Sequence, residues 1–126
     1  NILINGQAAD YLAGTGYATL LRTWKAGDVI ELDLPMEVRR IKAHEQVKTD
    51  VGFLALERGP IVYCLEGKDQ PDSTVFNKFI APDAPITSRY EADLLNGVVT
   101  LSGTAQEVGT DGSVREIPFK AIPYST

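Results

Sequence analysis

Glu57 and Glu66 bracket a Gly-Pro turn, and two carboxylates on either side of a sugar bond are the groups that glycoside cleavage uses. The chain holds 17 acidic residues, so this pair is one of many and its separation is not set by the sequence. A small hydrolase built on Glu57 or Glu66 is therefore the weakest of three readings. His44 is the single histidine, which excludes multi-histidine metal sites and leaves any Ser-His-Asp arrangement resting on one side chain in a polar loop. Solvation is its expected state. Cys64 is the single cysteine, so the chain can form neither an internal disulfide nor a site of several thiolates. It lies between Tyr63 and Leu65 in an apolar run, where a thiol packs as a small hydrophobe. The residues by themselves supply no catalytic, cofactor-binding or metal-ligating set.

Tyr11, Tyr17, Trp24, Tyr63 and Tyr90 offer flat faces to a sugar ring, with Trp24 foremost because it adjoins a turn. Aromatic residues are equally the normal content of a sandwich core. Gly14-Thr15-Gly16 is too short for a phosphate-binding loop and precedes a strand rather than a helix, so it reads as a hairpin turn. Arg39, Arg40 and Lys42 cluster, but Glu37 and Glu45 flank them, and a solvated strand edge is expected there.

The elements that would position these groups are strands. Hydrophobic residues make up 44% of the 126 and charged residues 23%, the balance of a chain that folds around a core. Asn5-Gly6 follows Ile2-Leu3-Ile4 and supplies a two-residue hairpin turn. Tyr17 to Trp24 reads as a strand that turns at Lys25 to Asp28 and pairs with Asp28 to Leu34, whose Ile30, Leu32 and Leu34 share a half-buried face. Pro35 ends that run, and Val38 to Lys42 gives a weaker, charged strand. The polar stretch Ala43 to Gly52 marks a boundary, with 1–45 ending one sandwich and 46–126 forming a second.

Phe53 to Leu56 and Ile61 to Leu65 read as strands buried on both faces and as the centre of the core. Val75 to Ile80 and Val98 to Leu101 are further strands, with a single helical turn expected at Glu91 to Leu95. Ala105 to Val108 and Val114 to Tyr124 come next, and Pro118 with Pro123 places the last strand at an edge. The pattern is an all-β, antiparallel, jelly-roll-like sandwich with room for parts of two.

The charge balance of 12 basic against 17 acidic residues, net −5, weakens the phosphate attraction that nucleic-acid binding needs. No apolar stretch approaches the roughly 18 residues of a membrane helix, and no basic-then-apolar leader opens the chain. A soluble protein is expected, with cytoplasm and periplasm both open. Asn1 is not a translational start, so an excised piece of something longer is expected.

Several segments occur in one familiar order: Asn5-Gly6, Gly16-Tyr17, Arg22-Thr23-Trp24-Lys25-Ala26-Gly27-Asp28, Leu34-Pro35-Met36 with Val38-Arg39, and Arg58-Gly59-Pro60-Ile61-Val62-Tyr63-Cys64-Leu65-Glu66. Asp93-Leu94-Leu95-Asn96-Gly97-Val98-Val99 and Ala121-Ile122-Pro123-Tyr124 extend the series. Together they resemble the C-terminal β region of glycoside hydrolase family 127, the bacterial β-L-arabinofuranosidase-like proteins. The resemblance implies an (α/α)6 barrel elsewhere that carries the sugar site and a zinc ion held by cysteines and a glutamate. It gives Cys64 no catalytic status, because the family's reactive cysteines precede the β region. It implies a non-catalytic accessory region that supports the barrel or mediates subunit contacts. The alternative is an autonomous carbohydrate-binding module using exposed aromatics. The opening strands of the first sandwich and the end of the second are expected to be missing, which would leave strand edges open to homodimer formation.

Overall fold

A computed structural model describes residues 1–124, and they divide into two compact units, Asn1–Pro35 and Met36 onward. The division expected at residue 45 falls ten residues earlier, because Val38–Lys42 pairs with Leu54–Arg58 and so belongs to the second unit. The chain is all-β and antiparallel, and among the described residues no helix is long and apolar enough to cross a membrane.

The first unit contains β1 (Ile2–Ile4), β2 (Gln7–Ala8), β3 (Leu12–Gly14), β4 (Tyr17–Thr19) and β5 (Ile30–Leu32). Asn5 and Gly6 adopt φ of 52° and 76°, the left-handed pair that a tight hairpin demands, and they join β1 to β2 as expected. The hairpin expected between Tyr17–Trp24 and Asp28–Leu34 does not form: β4 pairs back with β3, and β5 pairs with β1. Asn5 explains the choice. Its side-chain amide donates to the Asp28 carboxylate at 2.9 Å and accepts the Val29 N–H at 2.9 Å, so it draws β5 alongside β1. The register sets Leu32 opposite Ile2 and Ile30 opposite Ile4, on one face. Burial stops at β1: Ile2 and Ile4 are 9% and 8% exposed, whereas Ile30 and Leu32 are 52% and 60%. The half-buried face expected for Ile30, Leu32 and Leu34 is thus an exposed one.

The second unit contains β6 (Val38–Lys42), β7 (Leu54–Arg58), β8 (Ile61–Cys64), β9 (Lys78–Phe79), β10 (Ile86–Glu91), β11 (Val98–Val108) and β12 (Val114–Pro123). Their order is β10-β11-β12-β8-β7-β6, with β9 also on β11. β12 joins both halves. Its residues 114–121 pair with β11, and Ile122 and Pro123 then pair with Cys64 and Tyr63 of β8. The sheet curls into a sandwich-like fold with one core built from Leu56 and Tyr63 on one side and Leu101, Ala105, Ile117, Phe119 and Ala121 on the other. Gly103 allows this closeness, since any side chain there would collide with the Pro85 carbonyl and the Phe119 ring lying across it.

Five expectations give way here. The core centres on β11 and β12 rather than on β7 and β8, because Phe53, Ile61 and Val62 are exposed and β7 and β8 are buried on one face only. The last strand is interior rather than at an edge. Lys120 turns its N–H and C=O away from β11, and Pro118, two residues earlier, aims its missing N–H the same way, where no strand pairs with it. Glu91 to Leu95 is not helical, because Leu95, Asn96 and Gly97 all take left-handed φ between 48° and 99° and close the β10–β11 hairpin instead. Val98 to Val108 is one strand rather than two, and only Lys78 and Phe79 of the Val75 to Ile80 segment pair.

Candidate functional site

Arg58-Gly59-Pro60-Ile61 forms a two-residue turn in which Gly59 has φ of 57°, the conformation that a primed hairpin turn takes at its first central position. Proline tolerates the second. Gly59 donates its N–H to the Glu37 carbonyl at 3.2 Å and accepts from the Arg39 guanidinium at 3.1 Å, while the Met36 sulfur fills the space where a Cβ would stand. Met36, the last residue of the Leu34-Pro35-Met36 motif, thus meets Arg58-Gly59-Pro60, and the turn is a docking point for the start of this unit. Nothing in that geometry demands a ligand.

Glu57 lies on the outward face of β7 opposite Arg39, which it binds at 3.0 Å. Glu66 lies just past β8 and binds Lys68 at 2.8 Å. Each carboxylate is engaged by its own cation on a different element, so neither is poised against the other across a cleft. Cys64 is half-buried, and burial pushes its thiol upward, helped by the charges of Glu66 and Asp69. A thiol held in this way is a poor nucleophile and a poor metal ligand. Among the described residues no three His, Cys, Asp or Glu side chains gather as a metal centre, so the zinc that the family resemblance implies finds no fitting donor set here.

His44 is exposed, and its Nδ1 accepts the Gln46 N–H at 3.3 Å, a local turn contact. Gly14-Thr15-Gly16 is the β3–β4 turn, with φ of 48° and 84° at Thr15 and Gly16. Tyr63 is a core residue whose hydroxyl donates to the Val99 carbonyl at 2.9 Å, and burial pushes its own ionisation upward. Tyr11, Tyr17 and Tyr90 are exposed. Trp24 is 45% exposed, but the Arg22 guanidinium sits 5.0 Å from its ring centre and occupies one face. Arg22 also meets Asp28 at 3.3 Å, which ties the Trp24 loop to the Asn5 clamp.

The basic cluster on β6 departs from a uniformly solvated edge. β6 is an edge strand and Arg39 points outward, but Arg40 points inward with Val38, and its guanidinium donates to the Ala84 carbonyl. Ile41, on the other face of β6, is 40% exposed. Two polar arrangements carried no recognisable sequence signal. One is a recess lined by Arg89, Glu91, Asp93 and Lys120, where Glu91 accepts from Lys120 and Thr100 at 2.8 Å each. The other is Lys78, whose side chain is 2% exposed and whose ammonium donates to Asp72 at 2.6 and 2.8 Å and to the Thr74 carbonyl at 2.8 Å.

Residues 38–126 match the glycoside hydrolase family 127 C-terminal domain, and residues 1–36 match the beta-L-arabinofuranosidase family 127 middle domain. A curated relative, the non-reducing end beta-L-arabinofuranosidase of Bifidobacterium longum subsp. longum, is 35% identical over 105 residues, covering 79% of this chain and 16% of the relative. The crystal structure of a family 127 beta-L-arabinofuranosidase from Geobacillus stearothermophilus superposes with a TM-score of 0.88 at 40% identity, over 98% of this chain and 21% of that one. A second family 127 beta-arabinofuranosidase structure gives 0.87 at 31% identity, over 98% and 20%. The chain spans about a fifth or less of the length of these relatives. It belongs to glycoside hydrolase family 127, with its first unit in the family's middle domain and its second in the C-terminal domain.

Proposed function

We propose that this region is the non-catalytic β-rich accessory part of a β-L-arabinofuranosidase-type glycoside hydrolase. Its task is to support an (α/α)6 catalytic barrel, or contacts between subunits, and the barrel holds the zinc and the reactive cysteine. The observation that carries this reading is the engagement of every candidate reactive group in local structure: Glu57 on Arg39, Glu66 on Lys68, and the Cys64 thiol pushed upward by burial. A carbohydrate-binding role for Trp24 is the weaker reading, because Arg22 already takes one face of its ring.

The test is a chromogenic β-L-arabinofuranoside assay on this chain alone and on a longer polypeptide that includes the preceding domains. The expected result is turnover by the longer protein and none by this chain. Sugar release by residues 1–126 alone, abolished by Glu57→Gln or Glu66→Gln, would overturn the proposal.

A further inference from the structure

On β11 and β12 the side chains of Leu101 and Ala121 face the core, so Thr100, Ser102 and Lys120 project from the opposite side of the sheet. Arg89 stands opposite Thr100, which puts Arg89 and Glu91 of β10 on that same side. Lys120 reaches across β11 to one Glu91 oxygen at 2.8 Å, and the Thr100 hydroxyl, on a residue 3% exposed, donates to the other at 2.8 Å. The pair is thereby fixed in place while the Lys120 and Glu91 side chains keep 31% and 30% of their surface open. Asp93 joins them from the β10–β11 hairpin, where Gly97 leaves the space that the Tyr90 hydroxyl fills. Arg89, Glu91, Asp93 and Lys120 line a recess of about 500 Å³ that Tyr90 and Leu94 border.

A recess of this size holds a small ligand, and its walls decide which kind. Two cations, Arg89 and Lys120, face two anions, Glu91 and Asp93, so an ion of either sign meets as many like charges as opposite ones. Glu91 stays ionised at neutral pH, because Lys120 and then Thr100 hold it below its ordinary 4.5. Arg89 and Asp93 are exposed and belong to no ion pair among the described residues. Guanidinium and ammonium groups only donate, ionised carboxylates only accept, and a hydroxyl does both, so a ligand with several adjacent hydroxyls satisfies both kinds of wall at once. We propose that this recess binds a neutral saccharide of one or two rings, with Arg89 as its main donor, Asp93 as its main acceptor and the Glu91–Lys120 pair as its floor. Trp24 lies in the first unit and takes no part. A saccharide held here is compatible with a supporting role for the domain and does not depend on it.

The experiment is an amide NMR titration of the chain at neutral pH and constant ionic strength. L-arabinose, D-xylose, D-galactose and lactose serve as neutral probes, and inorganic phosphate and glycine as an anion and a zwitterion. At least one neutral probe is expected to shift the amides of residues 89–94 and Lys120 saturably, with a dissociation constant on the order of 10 mM. Arg89→Gln and Asp93→Ala should each weaken that binding about tenfold, the effect of removing a charged hydrogen-bond partner. Both positions are exposed, and the titration of the unsubstituted chain reads the site without either variant. The proposal is overturned by no saturable shift with any neutral probe up to about 100 mM, or by a tighter response to phosphate or glycine than to every sugar. Shifts centred on residues 22–28 instead, or undiminished binding in either variant, would overturn it as well.

Discussion

Gln70 acts as a one-residue strand for Lys120: its side-chain amide donates to the Lys120 carbonyl at 2.8 Å and accepts the Lys120 N–H at 3.2 Å. The same amide nitrogen also donates to the Glu66 carbonyl at 3.0 Å, and the residue is 4% exposed. Truncation to alanine strands both backbone groups of Lys120 on the flank of β12. Gln70→Ala is expected to lower stability by about 2–4 kcal/mol, read from urea unfolding. Gln70→Glu keeps the acceptor and loses the donor, so it should also destabilise; an unchanged midpoint in both variants would contradict this role.

Gly59 and Gly6 separate two penalties that usually occur together. Both have positive φ, but a methyl group at Gly6 meets open space whereas one at Gly59 meets Met36. Gly6→Ala should cost about 1 kcal/mol, and Gly59→Ala roughly 1–2 kcal/mol more. Pairing Gly59→Ala with Met36→Ala should recover part of the difference, as a double-mutant cycle would show.

Acid should unfold the protein through a defined set of carboxylates. The Asn5 amide and Lys25 N–H hold Asp28 below its ordinary 3.8, Lys78 does so for Asp72, and Ser113 for Asp111. Lys120 and then Thr100 hold Glu91 below 4.5. A folded-state value below the unfolded one means that this stability is complete above the ordinary value and is lost as pH falls through the depressed one. Stability should therefore be level from neutrality to about pH 5 and fall below about pH 4.5. Asp72→Asn should flatten the lower part of that decline, as measured by denaturant midpoints at each pH.

Cys64 behaves oppositely. Its thiol is raised above 9.0 in the folded state, so its contribution is complete below that value and weakens as pH rises beyond it. Modification by a thiol reagent at pH 8 should be slower in the native chain than in a urea-unfolded control. Cys64→Ala should lose about 1–2 kcal/mol through packing alone. Faster native modification would reveal an activated thiolate.

Turns were the most legible part of this sequence, because Asn5-Gly6 and Gly59-Pro60 encode their backbone angles in residue type. Pairing was less so. β5 joins β1 rather than the Tyr17 strand because one amide, Asn5, reaches 23 residues along the chain to Asp28. The inward turn of Arg40 is fixed by its register with Leu56, a fact that no local alternation contains. Pro118 argued for an edge, and the argument failed because the flank beside it is held by a side chain at Lys120 rather than by a strand. Of the reactive candidates the sequence shows only that a single histidine and a single cysteine limit what any arrangement can achieve; the partners Arg39 of Glu57 and Lys68 of Glu66 become visible only with the fold.

β12 is translated after every strand it stitches together, and it reaches back about 60 residues to β8. Until Ile117, Phe119 and Ala121 leave the ribosome, the Leu56 and Tyr63 side of the core has only Leu101 and Ala105 of β11 to close against, and no strand yet links β8 to β11. The meander β6–β7–β8 must therefore wait, its apolar side incompletely covered, from the end of β8 at Cys64 until β12 begins at Val114. A cell that makes this protein has to shield that ribbon during the delay, and slowed translation just ahead of residue 114 should raise its aggregation more than slowing anywhere downstream.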